Sequence, residues 1–271
     1  LQLYINDAFF ETPSRENAFL SLYRPALDLL YEDENLLLVN KRPGLVVHPD
    51  EQEKVNTLIT HIQAYLYQKK EWDPYSEHAF APALCNRIDR NTGGIVIAAK
   101  NAEALRILNQ KNKDREIRKH YLAVVHGRPS PPAGRLEGYL LKDEVKKQVT
   151  VSRKPVPGAK TAATLYQTLA SRGGLSLVEC ELVTGRTHQI RAQFAAAGHP
   201  LLGDGKYGRS RGCREQGRKH QALCSYKLTF SFATDAGILS YLNGKSWSVP
   251  HVDFVEEYFG TPGLPREEPK K

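Results

Sequence analysis

Asn86-Arg87-Ile88-Asp89-Arg90-Asn91-Thr92-Gly93-Gly94-Ile95-Val96-Ile97-Ala98-Ala99-Lys100 joins a carboxylate flanked by arginines to a Gly-Gly turn and a short apolar strand. Nearby cations favour the charged form of a carboxylate, so Asp89 between Arg87 and Arg90 is expected to stay ionised at neutral pH. Such a group suits a nucleophile or a base better than a proton donor. Taken alone, the cluster reads equally well as a surface ion pair, because structural pairs perturb carboxylates too.

Upstream, Leu36-Leu37-Leu38-Val39-Asn40-Lys41-Arg42-Pro43-Gly44-Leu45-Val46-Val47-His48-Pro49 sets two apolar runs around Pro-Gly, which reads as a hairpin. Solvated charge is the expected role of Lys41 and Arg42. Downstream, Lys119-His120-Tyr121-Leu122-Ala123-Val124-Val125-His126-Gly127 reads as a strand, on which a lone tyrosine is ordinarily a core residue. Residues 175–183 read as a strand with Val178, Cys180 and Leu182 on one face, and 187–197 as a helix with Ile190, Phe194 and Ala197 on one stripe. Gly198 and Pro200 stop that helix. Arg186 therefore falls at a strand-to-helix turn, where a side chain can enter a cleft. Helices are also expected over 56–69 and over 101–111, the second capped by Asn101. Strands broken by a few helices, without strict alternation, favour an α+β fold with a largely antiparallel sheet.

The chain has 271 residues, with 38 Lys plus Arg against 30 Asp plus Glu, a net charge of +8 and a pI near 9.2. That balance favours a polyanionic partner. The charge is uneven. Residues 100–128 carry Lys100, Arg106, Lys111, Lys113, Arg115, Arg118, Lys119 and Arg128 against Glu103, Asp114 and Glu116. Residues 205–219 carry Lys206, Arg209, Arg211, Arg214, Arg218 and Lys219 against Glu215 and read as a mobile loop able to touch phosphates. Cys85, Cys180, Cys213 and Cys224 show no metal or disulfide spacing, and the histidines form no helical pair. Gly203-Asp204-Gly205-Lys206 lacks the spacing of a P-loop. No apolar run approaches a membrane span and no signal-peptide pattern opens the chain, so a reducing cytoplasm is expected.

The stretch around Asp89 resembles the signature of the RluA-type pseudouridine synthases, roughly His-Arg-Leu-Asp-x-x-Thr-Ser-Gly and an apolar strand ending in Ala-Lys. Arg87, Asp89, Thr92, Gly94 and Ala99-Lys100 match, while Asn86, Ile88 and Gly93 depart from it. The stretches at 36–49 and 119–127 resemble the family's opening segment and its tyrosine-bearing strand. Leu182-Val183-Thr184-Gly185-Arg186-Thr187-His188-Gln189-Ile190-Arg191 resembles its Gly-Arg-x-His-Gln-Ile-Arg motif. Leu201-Leu202-Gly203-Asp204-Gly205-Lys206-Tyr207-Gly208 resembles the family's next segment on the C-terminal side of that motif.

The resemblance implies a cofactor-free, metal-free RNA pseudouridine synthase whose central mixed, mostly antiparallel, bifurcated sheet is flanked by helices. It implies Asp89 as catalytic carboxylate, Tyr121 against the base, and Arg186 as the charge partner of Asp89. Arg87, Arg90, Arg191, Lys206 and Arg209 are the expected RNA contacts. His188 is expected to serve structure, since this chemistry needs no histidine. The catalytic domain is expected over 28–260, with a disordered tail over 261–271. Residues 1–27 are expected to close a truncated S4-type RNA-binding domain. The expected partner is large-subunit ribosomal RNA, with transfer RNA as the alternative, and the protein is expected to act as a monomer away from membranes. Two rivals are a non-catalytic ribosome-assembly factor and a glycoside or nucleoside hydrolase that uses Glu179 or Glu181 as its acid.

Overall fold

Leu36, Leu37, Leu38 and Val39 are at most 1% exposed and Ile95 to Ala99 are 0% exposed, so both apolar runs are strands covered on both faces. The computed structural model describes residues 17–208 and 218–260. The expectations for residues 1–16, for the tail 261–271 and for Arg209, Arg211 and Arg214 fall outside the described residues.

Along the chain run β1 (Leu29–Glu32), β2 (Leu36–Lys41), α1 (Leu58–Gln68), β3 (Ala83–Leu84), β4 (Gly93–Ala99) and α2 (Ala102–Lys113). There follow β5 (Ile117–His126), β6 (Ala133–Asp143), β7 (Gln148–Ser152), β8 (Lys160–Arg172), β9 (Leu175–Leu182) and α3 (Gln189–Ala196). β10 (Leu223–Phe230), β11 (Ser246–Ser248) and α4 (Asp253–Phe259) complete the described strands and α-helices, and 3-10 turns lie at Ala18–Ser21 and Gly237–Leu242. The fold is α+β, as expected from the pattern of strands and few helices. The chain divides into two compact units, Leu1–Lys119 with Lys227–Val249, and His120–Tyr226 with Pro250–Lys271. Both lie largely within the stretch read as one domain, and β5 and β10 carry the chain from one to the other.

In the first unit β2 pairs antiparallel with β1 and with β4, and β3 also pairs with β4. Asn101 caps α2 by accepting from the Ala104 N–H at 2.8 Å, and Thr57 caps α1 in the same way. The hairpin expected at 36–49 does not form. Lys41 pairs with Gly94 of β4 instead, and past Pro43-Gly44 the chain leaves the sheet to bridge Val46 to Thr57 at the head of α1. No helix among the described residues is long and apolar enough to cross a membrane.

In the second unit the strand order is β5-β9-β8-β6-β7, every neighbour antiparallel. α3 packs on this sheet, with Ala192 joining Leu140, Val149 and Ala162 in one apolar cluster.

Candidate active site

In the first unit, the Asp89 loop is fastened at both ends. At its entrance Asn86 imitates a strand residue with its side chain: Oδ1 accepts from the Ile97 N–H at 2.8 Å and Nδ2 donates to the Ile95 carbonyl at 3.3 Å. Ile88 is buried beside the exposed Arg87 and the partly exposed Asp89. The Thr92 N–H donates to the Asp89 carbonyl at 3.0 Å and closes a β-turn. Gly94, at φ 109°, then enters β4 in a conformation that disfavours any side chain. A Cβ on Gly93 would come within 3.2 Å of the Pro43 ring, so the turn packs closely against that proline.

Beneath the turn lies Lys41, only 1% exposed, so the expectation that it is a solvated charge is corrected. Its ammonium donates to the carbonyls of Arg42, Leu45 and Arg90 at 3.0, 2.8 and 2.9 Å. The Arg90 carbonyl also accepts from the Gly44 N–H at 2.8 Å. One buried cation thus ties the 42–45 segment to the Asp89 turn. We expect Lys41→Met to destabilise the protein by about 2–4 kcal/mol, because buried carbonyls lose a charged donor. Denaturant titration checks this, and a wild-type midpoint would contradict it.

Arg90 turns its guanidinium away to Asp50, at 3.1 Å. Both side chains are exposed, so this pair contributes little, and an RNA phosphate there would compete with Asp50. Arg87 is exposed.

At the root of the loop, Lys119 donates to Asn112 Oδ1, and Asn112 Nδ2 donates to the Cys85 carbonyl at 3.2 Å. Burial pushes the Cys85 thiol up to about 12, which leaves it no thiolate character at neutral pH. Burial also pushes the Lys119 ammonium down to about 8 from 10.5, against a smaller opposing effect of Cys85. Below that folded value both folded and unfolded chains hold the proton, and above 10.5 neither does. Within the window only the unfolded chain is charged, so stability rises with pH. The expected gain is roughly 1–3 kcal/mol. Lys119→Met should lose this rise in a comparison of unfolding free energies at the two ends of the window, and a parallel slope would refute it.

In the second unit, Tyr121 lies on β5 opposite Cys180 of β9 and is 6% exposed. Arg186 is exposed at the β9–α3 turn, its Nε donating to the Thr161 carbonyl at 3.1 Å. Gln189, 3% exposed, builds that turn. Its Oε1 accepts from the Arg186 N–H at 3.0 Å and from Thr184 Oγ1 at 2.7 Å. Its Nε2 donates to the Ala163 carbonyl at 3.0 Å and to Thr164 Oγ1 at 2.8 Å. His188 takes the left-handed conformation, φ 52°, just before α3, and its Nδ1 lies 2.8 Å from the Tyr207 hydroxyl. It serves the turn.

Arg191 is a correction. It was expected to contact RNA, but its guanidinium is buried in a two-bonded pair with Asp204, Nε–Oδ2 2.7 Å and Nη2–Oδ1 3.0 Å. Asp204 is 0% exposed and also accepts from the Lys206 and Tyr207 N–H groups. Burial alone would raise its carboxyl, but Arg191 and these N–H groups outweigh that and hold it below the usual carboxylate value. Lys206 donates to the Lys147 carbonyl at 2.7 Å. The acids a hydrolase would need are engaged too: Glu179 accepts from the Tyr226 hydroxyl, and Glu181 lies 3.6 Å from His120. Sequence reading missed Lys41, Gln189 and Tyr207 as site-building residues.

Residues 35–196 match the model of the RNA pseudouridylate synthase family, a stretch that contains Asp89, Tyr121 and Arg186. The chain belongs to the RNA pseudouridylate synthase family. Among relatives of this synthase-family chain, an uncharacterised RNA pseudouridine synthase of Mycoplasma genitalium is 35% identical over 218 residues, 78% of this chain and 65% of the relative. The ribosomal large subunit pseudouridine synthase D of Zymomonas mobilis is 34% identical over 234 residues, 85% of this chain and 69% of the relative. The chain thus spans about two thirds of the length of these curated relatives. The human RNA pseudouridylate synthase domain containing 4 shares the fold at TM-score 0.64 and 22% identity, covering 89% of this chain and 93% of that one. The human domain containing 1 protein does so at TM-score 0.65 and 20% identity, over 89% and 86%.

Proposed function

We propose that this chain isomerises specific uridines in RNA to pseudouridine, with large-subunit ribosomal RNA as the favoured substrate. The observation that carries the reading is the family match over residues 35–196, which takes in the loop bearing Asp89. Relatives named as synthases of the large ribosomal subunit, from Zymomonas mobilis and Borreliella burgdorferi, favour ribosomal over transfer RNA.

In this reading the N1–C1′ bond of the uridine breaks and a C5–C1′ bond forms, with loss of the C5 proton and protonation of N1. Asp89 acts on the ribose, by attack at C1′ or by taking the proton from C2′, and either route needs an ionised carboxylate. Arg186 is assigned to the same chemistry on the strength of the motif resemblance. Tyr121 serves the base, by stacking or in the proton transfer at C5. A uridine inside a helix must first leave the stack, and Arg87, which is exposed, is the candidate to bind a flanking phosphate or fill the gap. The buried pairing of Arg191 removes it from the RNA contacts, leaving Arg87, Arg90, Lys206 and Arg209.

Tritium released from RNA labelled at uridine C5 tests the reading. Release from ribosomal but not transfer transcripts is the expected outcome. Binding without release from either RNA would favour the assembly-factor alternative.

A further inference from the structure

Among the described residues of the second unit, the strongest concentration of exposed charge lies apart from the two basic runs that stand out in the sequence. Residues 142–160, the turn of the β6–β7 hairpin through to the start of β8, hold six bases and two acids. That net +4 is half of the chain's +8, gathered in 19 residues. Lys142, Lys146, Lys147, Arg153, Lys154 and Lys160 are all exposed.

The two acids leave most of this charge uncompensated. Glu144 pairs with Lys142 at 2.6 Å. Asp143 accepts from the Lys146 N–H at 2.9 Å and is spent on the turn itself. Lys146, Arg153, Lys154 and Lys160 have no ion pair among the described residues, unlike Lys100, Lys111 and Arg218. The backbone under them is held firm. Asp143 pairs with Gln148 to close the hairpin, Lys147 turns it at φ 49°, and β6 is laddered to β8 from Ala133 to Leu140. Two bonds anchor the hairpin from below: Val149 N–H to the Tyr207 hydroxyl at 2.8 Å and Gln148 Nε2 to the Lys206 carbonyl at 3.3 Å. At the tip Val145 is 93% exposed, so the turn stands clear of the unit's core. From Lys146 at the tip to Arg153 beyond β7 the strand rise spans roughly 20 Å. That is a line of cations on a rigid edge, long enough to follow several nucleotides of one strand.

We propose that the β6–β7 hairpin and the turn into β8 form a docking arm for the sugar-phosphate backbone of the RNA, with Lys146, Arg153, Lys154 and Lys160 as its phosphate contacts. This rests on the RNA reading above and adds where the strand is gripped. Such contacts carry no base information and give affinity that falls steeply with salt.

The test compares wild type with a variant carrying Lys146→Gln, Arg153→Gln, Lys154→Gln and Lys160→Gln. A control carries four exposed changes elsewhere, Arg24→Gln, Lys54→Gln, Lys70→Gln and Lys245→Gln. Affinity for a ribosomal RNA transcript is measured across a salt series, beside thermal unfolding. The arm variant is expected to bind at least about tenfold more weakly, with a log–log salt slope shallower by roughly 2–3. Its KM in tritium release should rise in step, and the control should behave as wild type. Wild-type affinity and slope in the arm variant would overturn the proposal, as would an equal loss in the control, which would show a net-charge effect. Because binding is read without turnover, a wild-type protein that releases no tritium overturns the catalytic reading alone.

Discussion

Asp89→Asn is expected to abolish turnover while the fold stands. The substitution removes the charge that either route at the ribose requires but keeps the shape of the side chain. The turn is held by bonds the change does not touch: Thr92 N–H to the Asp89 carbonyl, and the Lys41 ammonium and Gly44 N–H to the Arg90 carbonyl. Losing a catalytic carboxylate of this kind costs about four orders of magnitude or more in rate. Tritium release should therefore drop to background, with RNA affinity and unfolding temperature close to wild type. Substantial residual turnover would remove Asp89 from the centre of the mechanism. A large fall in unfolding temperature would make the loss uninterpretable as chemistry.

The second large effect concerns stability. Asp204→Asn leaves the Arg191 guanidinium buried beside a neutral partner, and breaking a buried pair from one side costs about 3–5 kcal/mol. For a chain of this size we expect the unfolding temperature to drop by roughly 10 °C. Replacing both partners, Arg191→Met with Asp204→Leu, should recover part of the loss, because no orphan charge remains. The pH dependence has a definite sign. The Asp204 carboxyl is held below its ordinary value, so its contribution is full above that value and fades as acid protonates the folded protein. The gap between wild type and Asp204→Asn should narrow on acidification. A gap that widens toward low pH would contradict the buried-pair assignment.

Much of this molecule could be read from its sequence wherever a local signal and the tertiary outcome agreed. The Asn101 cap, the apolar run after Gly94 and the strand–turn–helix around Arg186 are of that kind, since each rests on a few neighbouring residues. The failures share a cause in long-range partners. Pro43-Gly44 looked like a hairpin, but β2 finds β4 more than fifty residues on. Lys41 and Arg191 looked like surface charge because the residues that bury them, the Arg90 turn and Asp204, are distant or silent in sequence. The basic arm escaped notice because its cations are split between the β6–β7 turn, the turn after β7 and the first residue of β8, which only the pairing of these strands brings together. Three of the eight bases counted in 100–128 are likewise taken up by structure, Lys100 by Glu32 and Glu71, Lys111 by Glu116, and Lys119 by Asn112. Charge counted along a chain overstates the charge available to RNA.

The decisive measurement is nucleoside analysis of an unmodified large-subunit ribosomal RNA transcript after incubation with the protein, with Asp89→Asn in parallel. The expected result is that uridine falls and pseudouridine appears one for one, the RNA stays unbroken, and the Asp89→Asn sample shows neither change. Free uracil in place of pseudouridine, or pseudouridine formed equally by Asp89→Asn, would contradict the assignment of Asp89 as the carboxylate of an RNA isomerase.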